Sequence, residues 1–297
     1  MRIKPDFSKT AHWIAGAACL AFFGVLWLFL HLKHVNFNNA SHIYENILHA
    51  FVSGSYTYNM NDFERPISVF GYHCYPIAFI FGLLLKVTGS FYAMLIVQAA
   101  AVASAAFAVF LSARKVLNNA GIALFFPVLF MGYFLTLHAS TWSVNLNVIS
   151  AAFTAWALYF MLLERFPAGL CLFLLALSCG ENNAPFVTGA GLYLLACRKW
   201  KWGAVIGLAG ILYFLAATKI ALIANKGEYL YGPEKDNLVM LLVHPLQGIK
   251  DILLSRDNPE TLLRLLYPLA FLPLFAPLKF VFLFCPTAVR RRRSSSM

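Results

Sequence analysis

Read from its amino terminus, the chain alternates long apolar runs with short polar clusters, and the clusters carry most of its charge. The first run, Ala11 to Leu32, follows Arg2, Lys4 and Lys9. It is too long for the hydrophobic core of a secretory signal, and no small-residue cleavage site follows it, so it predicts a retained first span. A mixed segment, 33–90, comes next and predicts the first outer loop. Within it Asn39 to Val52 is semi-polar and helix-compatible, and Ser53 to Arg65 is rich in turn formers. Pro76 to Val87 is strongly apolar but too short to cross a bilayer comfortably. Opened by Tyr75-Pro76 and closed by Thr88-Gly89, it predicts a short helix that lies at the interface or re-enters without crossing.

With that helix not crossing, Phe91 to Leu111, Gly121 to Leu137 and Val148 to Leu163 carry the chain in, out and in again. Arg114-Lys115 and Glu164-Arg165 then fall on the cytoplasmic side, as the positive-inside rule favours. The apolar stretch Pro167 to Cys197 is broken by Glu181-Asn182-Asn183. A carboxylate at mid-bilayer costs on the order of 3 kcal/mol. Two short helices meeting at the outer surface avoid that cost and keep the cluster Arg198-Lys199-Trp200-Lys201-Trp202 inside. Ala204 to Ile223 leads out to a second outer loop, 225–260, with a surface helix around Leu246 to Leu254. A last span from Leu262 to about Phe284 returns to a basic cytoplasmic tail, 286–297. In that tail Arg290 to Arg293, followed by three serines, reads as a stop-transfer anchor or as a shortened end.

Composition turns this pattern into a fold class. The 297 residues are 61% hydrophobic and 12% charged, more apolar surface than one soluble core can hide. At roughly 20 residues per helix, there is room for about eight spans. The prediction is an all-α integral membrane protein forming one polytopic domain, with its amino terminus cytoplasmic. The formal charge of +11 is dispersed in clusters between apolar runs and forms no single basic face, which argues against nucleic acid and for membrane lipids as partners. Most of the six cysteines lie in or beside apolar stretches, so no disulfide framework is predicted.

Acidic residues gather on the predicted outer side. His42, Glu45, Asn46 and His49 fall on one face of a helix, either a solvated face or a metal or substrate site. His42 and His49 are too far apart to hold one ion by themselves, and no metal site is assigned. His73 immediately precedes a helix start, where an imidazole can meet an anion or simply bond a backbone carbonyl. Glu181, at the tip of a membrane hairpin, needs a partner or a wet cavity. Asn145 and Asn147 bind a sugar hydroxyl or cap the next helix. There is no phosphate loop, Rossmann fingerprint, paired CxxC or His-Glu-x-x-His motif.

The order Ile43-Tyr44-Glu45-Asn46, Gly71-Tyr72-His73-Cys74-Tyr75-Pro76-Ile77, the loop around Trp142, and Ser178-Cys179-Gly180-Glu181-Asn182 resembles the bacterial membrane-protein family called domain of unknown function 2079, from about Asn36 to Pro277. That family in turn is similar to the C-type glycosyltransferases. The resemblance implies a bacterial inner membrane, a polyprenyl-phosphate-linked sugar as donor and transfer at the outer face. Glu45 and Glu181 would be the catalytic carboxylates, and His42, His73, Tyr75, Asn145, Asn147 and Asn182 would contact substrate. The cofactor is left open. The chain departs from the pattern where it lacks an aspartate near Asn38 to Ala40, has Ser143, Asn145 and Asn147 in place of an acidic loop, and flanks Glu181 with Gly180 and Asn182. These losses leave open an impaired enzyme, a non-enzymatic carrier or flippase-like protein, or a structural envelope component.

Overall fold

The computed structural model describes residues 7–36, 49–50, 52–55, 57–58, 67–141 and 144–224. Glu45, His42, the second outer loop, the last predicted span and the basic tail lie outside the described residues. Within them the chain is mostly helical: α1 (Phe7–Asn36), α2 (Val69–Tyr72), α3 (Ala78–Thr88), α4 (Tyr92–Leu117), α5 (Ala120–Ala123), α6 (Phe125–Gly132), α7 (Phe134–Ser140), α8 (Leu146–Leu162), α9 (Phe166–Ser178), α10 (Ala184–Ala196) and α11 (Trp200–Ala224). A 3-10 turn, Glu181–Asn183, joins α9 to α10. One departure from the all-α expectation is a two-residue antiparallel pair, β1 (Thr57–Tyr58) with β2 (Ile67–Ser68).

Three helices are long and apolar enough to cross a membrane, over Lys9–Lys33, Tyr92–Leu117 and Trp200–Ala224. Side chains such as Trp13, Leu20, Val25, Leu212 and Ile223 stay exposed on them. In water such surface would drive association, whereas in lipid it is the normal outer face of a helix bundle. Where a single span is expected over Gly121 to Leu137, the chain is an apolar helical stretch from Ala120 to Gly132, α5 and α6, followed by the short helix α7. Asn119 caps the first piece by accepting from the N–H groups of Gly121 and Ile122, and Tyr133 is extended between the second and third.

Side-chain contacts set the helix directions. His12 of α1 contacts Arg114 of α4, and His31 lies 5.2 Å from Tyr92, ring to ring, so α1 and α4 are antiparallel. Asn145 donates its N–H to Oε1 of Gln98 at 2.7 Å, and Trp156 lies 6.5 Å from Phe107, so α8 runs parallel to α4. The α8 helix then turns sharply into α9, and α10 into α11. Both turns are Schellman motifs. Arg165 N–H reaches Phe160 O and Lys199 N–H reaches Leu194 O, each at 2.9 Å, around the left-handed residues Glu164 (φ 59°) and Arg198 (φ 60°).

The α10–α11 hairpin is packed backbone to backbone. A Cβ on Gly191 would lie 2.3 Å from Gly207 N, and one on Gly203 2.7 Å from Leu195 N. Small residues permit this approach, which in lipid replaces the hydrophobic drive that water would supply. Lys199 Nζ meets Glu164 Oε1 at 2.9 Å, so the two sharp turns share one end of the bundle. Helices α9 and α10 have 13 residues each, about 20 Å, and both therefore reach the opposite end, where Glu181 joins them. Helix α3 begins at that same end, with Ile77 N–H donating to Ser178 O at 3.1 Å. It then hands over to α4 beside His31. Its Phe79, Ile80, Leu83 and Val87 are exposed while Ala78, Phe81, Gly82 and Leu85 are buried, so α3 lies across this end without traversing the bundle.

Candidate functional site

Away from the two sharp turns, three separate segments converge on Glu181. The 3-10 turn that holds it starts from Gly180, whose φ of 138° is open to glycine and strained for any L side chain. A Cβ there would also sit 2.9 Å from Cε1 of Tyr75 and 3.4 Å from Oδ1 of Asn147. Glycine at this corner thus lets the α9–α10 connection close onto the Tyr75 ring and the start of α8.

The Glu181 carboxylate is buried and both its oxygens are engaged. His73, 108 residues away in sequence, donates from Nδ1 to Oε1, and the Cys74 N–H donates to Oε2 at 3.0 Å. Burial by itself would push this carboxyl up. The hydrogen bond and charge of His73, together with backbone N–H groups of Glu181 and Cys74, outweigh it and hold the group below the ordinary carboxylate value. Tyr75 packs edge-on against the imidazole at 5.2 Å and is itself buried. From the middle of α11, Tyr213 donates to Cys74 O at 3.0 Å. One backbone unit is thereby gripped on both sides, its N–H by Glu181 and its C=O by Tyr213. Burial pushes the Cys74 thiol up, which leaves it a poor nucleophile at neutral pH.

A second polar layer supports the turn. Asn183 donates to Gly180 O at 3.1 Å and accepts from Ser150 Oγ at 2.8 Å. Gln98, fully buried, donates to Ser140 O at 3.1 Å and accepts from Asn145, clipping the end of α7 to the start of α8.

Of the residues singled out in the sequence, His73, Tyr75, Glu181 and Asn147 come together. Asn145 caps α8, accepting from Asn147 N–H at 2.9 Å. Asn182 is exposed, and its buried neighbour Asn183 makes the contacts instead. His49 is exposed with its ring 4.9 Å from Phe91, at this same end of the bundle. Sequence reasoning missed Gln98, Ser150, Asn183, Tyr213 and the steric role of Gly180. Polar residues within apolar helices are the signal that finds the first four; nothing in the sequence reports a backbone N–H such as that of Cys74. Among the described residues no three His, Cys, Asp or Glu side chains gather as metal donors.

The arrangement is a carboxylate–imidazole pair walled by an aromatic ring. It fixes the His73 ring through Nδ1 and so sets the orientation of the imidazole. No match exists among curated proteins or solved structures. The model of the family described as predicted membrane protein (DUF2079) matches residues 39–290, most of the chain, and the chain belongs to that family.

Proposed function

We propose that this membrane protein works on a polyprenyl-phosphate-linked sugar at the end of the bundle that holds His73 and Glu181, as a glycosyltransferase-like protein of a bacterial inner membrane. In this reading the chain forms about eight spans, the two sharp turns face the cytoplasm with the amino terminus, and α3 lies in the outer interface. The observation that supports it best is the buried His73–Glu181 pair within an apolar bundle. An ionisable pair kept there marks a polar ligand that arrives attached to lipid.

The roles follow from the hydrogen bonds. Glu181, with both oxygens engaged, orients the imidazole, and His73 contacts the donor phosphate from that fixed ring. In the transfer, an acceptor hydroxyl loses its proton to Glu45, its oxygen attacks the anomeric carbon, and polyprenyl phosphate leaves with the bonding pair. Tyr75 and Asn147 border the donor, and Asn182 meets the acceptor side.

Purified protein in detergent, given a radiolabelled polyprenyl-phosphate sugar, tests this. Replacing His73 by Ala removes a charge-assisted contact of about 1.5–3 kcal/mol, so donor binding should weaken roughly tenfold to a hundredfold. Glu45→Ala should abolish transfer while leaving binding. Unchanged binding in His73→Ala and unchanged transfer in Glu45→Ala would sink the assignment. A second reading, a carrier or flippase-like protein that binds the lipid without turnover, is favoured by the thin supply of carboxylates in the sequence, 12 Asp and Glu in 297 residues, and by the polar hairpin tip within an apolar bundle. Saturable binding without transfer, with movement of the lipid between leaflets in liposomes, would select it.

A further inference from the structure

The opposite end of the bundle carries a feature that the proposed reaction does not use. Phe166 opens α9 and Trp202 lies in the first turn of α11, and their rings stack at 5.7 Å and 23°. Lys199 Nζ sits 5.9 Å from the Phe166 ring, and Lys201 Nζ sits 5.6 Å from that of Trp202. The two hairpins are thus joined by an aromatic pair with an ammonium on each side, a geometry in which the rings' negative faces hold the cations in place. Around it Arg165, Arg198 and Trp200 are exposed, Trp200 by 67%.

The local charge is unbalanced. Glu164 is the only acid among the described residues at this end, and Lys199 has taken it at 2.9 Å. Arg165, Arg198 and Lys201 have no carboxylate partner among the described residues. Charge near a span end suffices to orient a membrane protein. It does not require that the cations be ordered on a ring stack beside an exposed indole, the side chain that prefers the headgroup layer.

We propose that the paired turns of α8–α9 and α10–α11 form a binding surface for the headgroup of an anionic phospholipid. Lys201, Arg165 and Arg198 meet its phosphodiester, the Phe166–Trp202 stack forms the floor, and Trp200 sits among the neighbouring headgroups. The lipid supplies the negative charge that the described residues lack at this end.

The full chain, purified in neutral detergent, is mixed with vesicles of phosphatidylglycerol or of phosphatidylcholine, and retained lipid is counted by native mass spectrometry. Phosphatidylglycerol should be retained selectively. The triple variant Arg165→Gln, Arg198→Gln, Lys201→Gln should lose that preference by on the order of a hundredfold, given the contribution of each basic residue near an anionic surface. The charge-keeping variant Arg165→Lys, Arg198→Lys, Lys201→Arg should restore it, and Lys86→Gln, on α3 at the other end, should leave it unchanged. Retention by the native protein should also fall as NaCl rises from about 0.05 to about 0.5 M. Equal retention of both lipids, or equal loss in Lys86→Gln, would overturn the proposal. So would displacement by inorganic phosphate at the same concentration, which would mark a site for free anions. None of these readouts depends on sugar transfer.

Discussion

The bundle holds one described carboxylate near each end, and the two live under opposite rules. Glu181 is buried, bonded through both oxygens, and held by a histidine from a distant segment. Glu164 is exposed on a sharp turn, and its partner among the described residues is a lysine that is itself one-third exposed. The same functional group is a fixed structural and electrostatic element in the first case and a solvated surface charge in the second. Burial and the number of donors make the difference, since water competes for every bond Glu164 makes and for few of those at Glu181.

Removing the buried carboxylate should have the largest effect. Glu181→Ala leaves His73 and the Cys74 N–H without their acceptor and should cost about 3–5 kcal/mol, read from equilibrium unfolding in mixed micelles. A loss below about 1 kcal/mol would put Glu181 in the same class as Glu164. Gly180→Ala attacks the same corner through the backbone. It sets a side chain at a strained φ and against Tyr75, for about 3 kcal/mol in the same assay.

Acid should separate the two ends without mutation. Because Glu181 is held below its ordinary value of 4.5 in the folded protein, its contribution is complete above that value. It is lost as pH falls through the lower, folded value. Unfolding midpoints measured against pH should drop in this acid range, and the drop should vanish in Glu181→Gln but persist in Glu164→Gln. At the exposed end the effects shrink. Arg198→Gly relieves a left-handed residue and should stabilise the protein by up to about 1 kcal/mol in neutral detergent. Glu164→Gln should cost about 0.5 kcal/mol, and the cost should disappear in high salt.

How far these ends were legible in the sequence depends on what kind of force made them. Apolar run length and the clustering of Arg114-Lys115 and Arg198-Lys199 predict the long helices, because lipid imposes length and charge position directly. The break at Glu181 is readable for the same reason: a carboxylate is costly within an apolar run. The closing of α3 by Gly89 follows from the backbone freedom of glycine, and its φ of 64° shows that freedom in use. By contrast, the break at Tyr133 was invisible, since the residues on both sides of it, Phe130 to Leu135, are apolar but for one glycine and the break is a single extended residue in the backbone. Within the site, His73 announced itself by its place before a helix start and Glu181 as a carboxylate in an apolar stretch. Their pairing did not, because it depends on where α2 and the α9–α10 turn meet in space. The choice of Asn183 over Asn182 is a matter of which way a three-residue turn winds, and composition carries no record of that.

At both Schellman corners a designer would place glycine. A left-handed helix terminus is the preferred seat of glycine, yet this chain puts glutamate at one corner and arginine at the other. Each choice gives up on the order of 1 kcal/mol of backbone comfort. A site that keeps an ionic side chain where none at all would be easier to fold is shaped by what lies outside the protein, and it makes these corners the first place to look for the imprint of the surrounding membrane on the sequence.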